Sequence, residues 1–187
     1  IFCNFNTNYK ITPIIFDSWM NILKNVPKSV LWLFESNSEA SINLRKEAQN
    51  RGIDENRLIF AKHLPDKEHL KRLKLADLFL DTFPYNAHAT AVDALRVGLP
   101  VLTLSGKTIA SRVAASILKQ LDLGELICDN ILRYEKKAIE LAINKNELSL
   151  IMKKLKNKIK VSPLLDSVEF TKNLESIYTN LVQKKAS

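Results

Sequence analysis

The stretch ADLFLDTFPYNAHATAVDALRVGLPVLTL, residues 76–104, reads as one complete βαβ unit. Residues 77–80 and 100–104 are short, almost continuously apolar runs, the pattern of strands covered on both faces rather than on one. Between them lies a polar loop rich in small residues, then a helical pattern over 89–97 that stops at Gly98, a natural helix C-terminal residue. A parallel pair joined by a crossover helix is the connection such a pattern implies.

Working outward, the same alternation recurs. Residues 2–5 read as the end of a strand. A helix over 13–26 follows, with Thr12 as its cap, Pro13 at its first position, and Ile15, Trp19, Ile22 and Val26 on one face. SVLWLF (29–34) is another apolar strand, and a helix near 38–51 ends at Gly52. RLIFA (57–61) is a short strand before a basic helix over 66–75. Beyond residue 104 a helix over 108–121 is expected to bury Ile109, Val113, Ile117 and Leu121. A weak strand near Leu126 and Ile127 precedes a helical tail. The fold class is therefore α/β, a Rossmann-like doubly wound parallel sheet. Residues 1–130 form the sheet-bearing lobe, and 131–187 are C-terminal helices expected to pack on it. Ligands of such sheets sit where strands end and helices begin, so function is sought just after Phe5, Ala61, Leu80 and Leu104.

Composition narrows the classes. The 187 residues are 46% hydrophobic and 26% charged, ordinary for a globular protein and unlike a disordered one. No run of about 18 apolar residues could span a membrane as a helix. The two cysteines, Cys3 and Cys128, are too few for a disulfide framework and form no zinc pattern; they read as reduced thiols of a cytoplasmic protein. The chain opens Ile1-Phe2-Cys3, without Met or a signal-peptide pattern, so a longer polypeptide is expected around it. Net charge is +8, and part of the excess is local: Lys153, Lys154, Lys156, Lys158 and Lys160 follow one another with no acid between them. That run reads as the wet face of a late helix. Nucleic-acid binding would call for arginines and exposed aromatics on one face, and aromatics are only 7%. No GxGxxG, GxxxxGK[ST] or GxSxG occurs, which argues against dinucleotide oxidoreductases, P-loop NTPases and α/β hydrolases.

The strand ends hold the candidate chemistry. His88 and Thr90 straddle a helix start, where free N–H groups and the helix dipole favour a phosphate. Thr90 and Asp93 share a helix face, so Asp93 can accept from a sugar diol while Thr90 donates to phosphate. His69 and Arg72 are likewise three apart, a ring to stack on a base and a guanidinium to bond to it. Lys10 would supply a cation to a diphosphate leaving group without a metal. Taken singly, each has a plainer reading: Lys10 a surface lysine, His69 an exposed helix residue, Asp93 a helix polar residue. His63, Tyr85, Trp19, Trp32, Arg112, Ser111 and Thr108 keep those plainer readings as loop, packing or capping residues.

The order and spacing of FNTNYKITP, PKSVLWLFES, NRLIF, EHLKR, ADLFLDTFPYNAHAT, GLPVLTLSGKTIASRVAAS and LGELI resemble the C-terminal catalytic lobe of the O-linked N-acetylglucosamine transferase and SPINDLY family, over roughly residues 1–130. The resemblance implies the C-terminal lobe of a GT-B glycosyltransferase. It would move a sugar, N-acetylglucosamine from UDP-GlcNAc, to protein Ser or Thr hydroxyls, with no cofactor and no metal. It implies that Lys10 contacts the diphosphate and is needed for activity. It places the uracil-stacking histidine on His69 with Arg72 beside it, and the family's H-x-T-x-x-D stretch on His88, Thr90 and Asp93. Catalytic roles fall on Lys10 and His88; Thr7, His69, Arg72, Ala89, Thr90 and Asp93 fall in the substrate-binding set. Thr7 stands where the animal enzymes have Gln, Ala89 where they have Thr, and Asp66 where they have a Lys near the ribose. The implied partners are a UDP-sugar, an acceptor protein or peptide, an N-terminal lobe and preceding helical repeats of the same polypeptide. Two other classes stand beside this reading: a catalytically silent GT-B-like scaffold, fed by the departures at Thr7 and Ala89, and a basic nucleic-acid-binding domain, supported by charge alone.

Overall fold

The computed structural model describes residues 1–186. Its strands are β1 (Phe2–Asn4), β2 (Leu31–Phe34), β3 (Leu58–Ala61), β4 (Leu78–Leu80), β5 (Val101–Leu104) and β6 (Ile127–Cys128). The helices are α1 (Pro13–Asn25), α2 (Ser38–Asn50), α3 (Asp66–Leu73), α4 (Ala89–Arg96), α5 (Val113–Gln120), α6 (Ile131–Ile143), α7 (Lys145–Val161) and α8 (Ser167–Ala186). All strands pair in parallel in the order β3-β2-β1-β4-β5-β6. The chain builds outward from β1 to β3, then returns to the other side of β1 and builds outward again. Right-handed crossovers carry the helices of the two halves to opposite faces, and the direction of winding reverses between β1 and β4.

The apolar runs form strands because both of their faces are covered. Cys3, Leu31, Leu58, Leu78, Phe79, Val101 and Leu102 are each buried to within about 1%. Local signals set the helix ends. The Thr12 side chain accepts from the Ile15 amide at the start of α1, and its hydroxyl also donates to the Phe83 carbonyl at 2.9 Å. Gly52 and Gly98 end α2 and α4 at φ of +73° and +87°, a region that L side chains avoid.

The helical tail divides in two. Tyr134, Ala138 and Leu141 of α6 and Ile151 and Leu155 of α7 join the buried core. Tyr134 lies between α1 and the sheet, accepting from Trp19 Nε1 at 3.1 Å and donating to the Asp81 carbonyl at 2.9 Å. Helix α8 adds no residue to that core among those described, and Phe170, Ile177, Tyr178, Leu181 and Val182 lie exposed on it.

One helix differs from expectation. Residues 108–112 are not helical, α5 begins at Val113, and Ile109 is 78% exposed instead of buried. The segment closes on itself. Gly106 N donates to the Ser111 carbonyl at 2.9 Å, and the Ser111 hydroxyl accepts from the Thr108 amide at 3.1 Å. Such side-chain bonds offer the backbone an alternative to the helix. The loop can be this tight because residue 106 is glycine: a Cβ there would lie 2.5 Å from Ser111 Oγ. The buried positions of α5 are then Ala114, Ala115 and Leu118.

Candidate functional site

The loops leaving β1 and β4 meet where the winding reverses, and polar side chains join them. Asn4 Nδ2 donates to the Leu80 carbonyl at 2.7 Å, and Asn4 Oδ1 accepts from the Asn6 amide at 3.0 Å. Asn6 Nδ2 donates to Thr82 Oγ1 at 2.8 Å, while its Oδ1 accepts from the Thr90 hydroxyl at 2.5 Å. A single 3-10 turn, Asn8–Lys10, then brings the Lys10 ammonium back over the β4 loop. There Lys10 Nζ donates to the Asn86 carbonyl at 3.0 Å and lies 3.8 Å from the centre of the Tyr85 ring. Burial lowers the Lys10 pKa from its ordinary value, against the opposing influence of Tyr9 and Asp81.

The β4 loop is organised from inside by Asp81. This carboxylate is fully buried; Oδ1 accepts from the amides of Thr82 at 2.8 Å and Ala87 at 2.7 Å, and Oδ2 from the Thr103 hydroxyl at 2.7 Å. Burial pushes its pKa up to about 6, although each of those hydrogen bonds favours the charged form. Asn86 completes the brace, donating to the Thr82 carbonyl at 2.9 Å and the Leu104 carbonyl at 3.2 Å. The Phe83–Pro84 peptide within this loop is cis. Sequence reasoning missed Asn4, Asn6, Asp81 and Asn86 as site-builders. The signal was present: polar residues at the ends of fully apolar strands are buried, and buried polar groups are hydrogen-bonded.

The braced loop delivers the start of α4. His88 immediately precedes it, half-buried, its ring 5.2 Å from that of Tyr85, and its Nε2 is buried with no hydrogen-bond partner among the described residues. Ala89 is exposed, and Thr90 lies in the first helical turn, where backbone N–H groups have no intrahelical acceptor. Asp93, one turn on, is half-buried and close enough to raise the proton affinity of His69. Helices α3 and α4 therefore face each other across the mouth of the crevice.

His69 and Arg72 occupy that facing helix. The His69 ring meets Phe5 edge-on at 5.3 Å. The Arg72 guanidinium is buried over Phe5 at 4.4 Å, donating to the Lys62 carbonyl at 2.7 Å and touching His69 Nδ1 at 2.6 Å. Beside them is a hollow of about 150 Å³ walled by Phe5, Phe34, Leu64, His69 and Arg72. Strand β2 lies between β1 and β3, so residues following β3 reach the end of β1 through α3 and not through pairing. Lys10, His88 and Thr90 thus gather around the β1 and β4 loops, with His69, Arg72 and Asp93 alongside. Thr7 precedes the 3-10 turn, and its carbonyl accepts from the Lys10 amide at 3.1 Å. The hollow beside His69 includes neither Lys10 nor His88. A cavity of about 640 Å³ lies at the opposite edge of the sheet, against Ile1, Lys28, Asp77 and Met152, and holds none of the expected residues.

Residues 1–174 match the profile of Glycosyl transferase family 41. The chain belongs to this family. It is 38% identical over 179 residues to the Arabidopsis thaliana protein named "Probable UDP-N-acetylglucosamine--peptide N-acetylglucosaminyltransferase SEC", covering 95% of this chain and 18% of that protein. It is 36% identical over 177 residues to the UDP-N-acetylglucosamine--peptide N-acetylglucosaminyltransferase of Caenorhabditis elegans, covering 95% of this chain and 15% of that protein. A mutant O-GlcNAc transferase of Thermobaculum terrenum superposes with a TM-score of 0.90 at 29% identity, covering 95% of this chain and 35% of that one. The fold is that of a GT-B glycosyltransferase lobe. The chain thus spans less than a fifth of the length of these two curated relatives.

Among its described residues this family 41 lobe gathers no group of three or more His, Cys, Asp or Glu side chains able to hold a metal ion. No described helix is long and apolar enough to cross a membrane.

Proposed function

We propose that this chain is the donor-binding lobe of a transferase that moves N-acetylglucosamine from UDP-GlcNAc to Ser or Thr hydroxyls of proteins. Family membership and the names of the relatives support the reaction class, and one geometric observation supports the site. The Lys10 ammonium and the start of α4 are held at the same reversal of the sheet by bonds from Lys10 to Asn86 and from Thr90 to Asn6.

The chemistry follows from charge. As the sugar C1–O bond breaks, negative charge grows on the departing diphosphate. Lys10 supplies a cation there, and the first N–H groups of α4 with the Thr90 hydroxyl supply donors. His88 stands beside them at the start of α4, its Nε2 buried and without a hydrogen-bond partner among the described residues. Asp93 accepts from a ribose hydroxyl, and the free face of His69 stacks on the base. Ala89 and Thr7 frame the phosphates through their backbone. The acceptor hydroxyl comes with the acceptor protein, and no residue of this site is assigned as the base that takes its proton, so transfer is measured on the full-length protein.

Lys10→Ala in that protein is expected to remove most transfer while leaving the circular dichroism spectrum unchanged, and EDTA treatment is expected to leave the wild-type rate intact. A Lys10→Ala variant with normal turnover would remove the lysine from the mechanism. His69→Ala is expected to weaken UDP binding by roughly 1–3 kcal/mol, the range for an aromatic platform under a base. Calorimetric titration decides it, and an equal dissociation constant would return His69 to the surface of α3. UDP binding without transfer by the wild type would favour the silent scaffold.

A further inference from the structure

We propose that Arg72 is a positioning residue, whose guanidinium holds His69 as the neutral imidazole carrying its proton on Nε2 and fixes the plane of the ring. The purpose assigned to that ring, a nucleobase platform, rests on the function proposed above; the protonation state does not.

A guanidinium has only donors. The 2.6 Å contact between Arg72 Nη2 and His69 Nδ1 is therefore a hydrogen bond only if Nδ1 offers a lone pair. A neutral ring with a free Nδ1 carries its proton on Nε2, and a doubly protonated ring would set N–H against N–H. Arg72 has little freedom to turn away. It is 8% exposed, its Nη1 donates to the Lys62 carbonyl at 2.7 Å, and its plane lies over Phe5 at 4.4 Å and near Trp32 at 5.9 Å. Phe5 is shared: the ring that supports the guanidinium also meets His69 edge-on, at an interplanar angle of 82°. One aromatic residue just past β1 and one buried cation on α3 thereby fix both the tilt and the tautomer of His69.

The charged groups around His69 act in both directions. Arg72 on its own helix and His63 in the preceding loop oppose protonation; Asp66 at the start of α3 and Asp93 on α4 favour it. With burial the largest influence, the balance lowers the pKa of His69 from its ordinary value, so the ring is neutral at neutral pH. A neutral ring of fixed tilt keeps one face toward the hollow beside it. Arg72, with one contact from each terminal nitrogen, to Lys62 and to His69, acts on the ligand through His69.

The test is nuclear magnetic resonance of the full-length polypeptide labelled at histidine, with the His69 signal assigned by its loss in His69→Gln. Without nucleotide, the wild type is expected to show the Nε2–H tautomer and a pKa lowered from the ordinary histidine value. Arg72→Met is expected to show a mixture of tautomers and a pKa shifted upward, and to move the acid limb of UDP binding to higher pH. A wild-type ring protonated on Nδ1, or already charged at neutral pH, overturns the proposal, as does an Arg72→Met ring with unchanged tautomer and pKa. If Arg72→Met does not fold, the wild-type tautomer alone decides. A locked tautomer whose signal ignores UDP leaves the positioning role standing and defeats the donor-site reading.

Discussion

Asp81 shows what single residues contribute to this site beyond contact with a ligand. Its carboxyl has a pKa of about 6 in the folded chain against an ordinary 3.8. Between those values the unfolded chain gives up the proton while the folded chain keeps it. The stability contributed by the protonated form is therefore fully present below about pH 4 and is lost as pH rises through about 6. The interval corresponds to roughly 3 kcal/mol. Asp81→Asn cannot ionise, so its stability relative to wild type is expected to rise by about that amount between about pH 4 and pH 7. Urea unfolding at several pH values measures it, and a difference constant with pH would show that Asp81 titrates normally. The spacing of His88, Thr90 and Asp93 makes that part of the site legible in the sequence, because a helix face is a local pattern. Asp81 and Asn6 are not legible there, because their partners Thr103 and Thr90 lie 22 and 84 residues away along the chain.

The elements are legible wherever a chemical stop coincides with a change of period. Helix α4 ends at Gly98 because the chain must turn there through positive φ, and a Cβ at Gly98 would also come within 3.3 Å of Lys156 Cε on α7. Gly98→Ala is expected to cost about 1–2 kcal/mol for the backbone, with a further penalty for displacing Lys156. Gly52→Ala, at similar φ but with nothing within 4 Å, carries the backbone cost alone. Thermal unfolding of the two variants side by side checks the ordering, and a neutral Gly98→Ala would contradict the turn. Helix α5 departs from its sequence pattern for a different reason. Thr108 and Ser111 look like helix-start residues, and they do cap a turn, but the turn is the loop's own. Ile109 then lies outside rather than under the helix. Apolar spacing does not separate those cases, because the deciding contact is between Gly106 and Ser111 inside the loop.

At the scale of the molecule, the alternating pattern specifies the doubly wound sheet, and the charge pattern resolves into ordinary surface pairing. Lys154 meets Glu125 at 3.0 Å and Lys158 meets Asp122 at 3.1 Å, so part of the lysine run is neutralised in place. The two halves of the sheet touch along one line, the β1–β4 pairing, and that line continues past the ends of the strands. Phe2 pairs with Leu78, Asn4 bonds to Leu80, Asn6 to Thr82 and Lys10 to Asn86, each partner 76 positions further along. Two loops that look irregular thus keep step with each other at these positions as far as Lys10. Loops ordinarily tolerate insertions and deletions. These two are expected not to. Removing Asn8 would shift Lys10 against Asn86 while leaving Asn4 and Asn6 in register, separating the cation from the start of α4 without altering a single ligand-facing residue. The loop between β3 and α3 is held at Lys62 by Arg72 of the helix that follows it rather than by a second loop in step with it, and change in length beyond Lys62 can accumulate there.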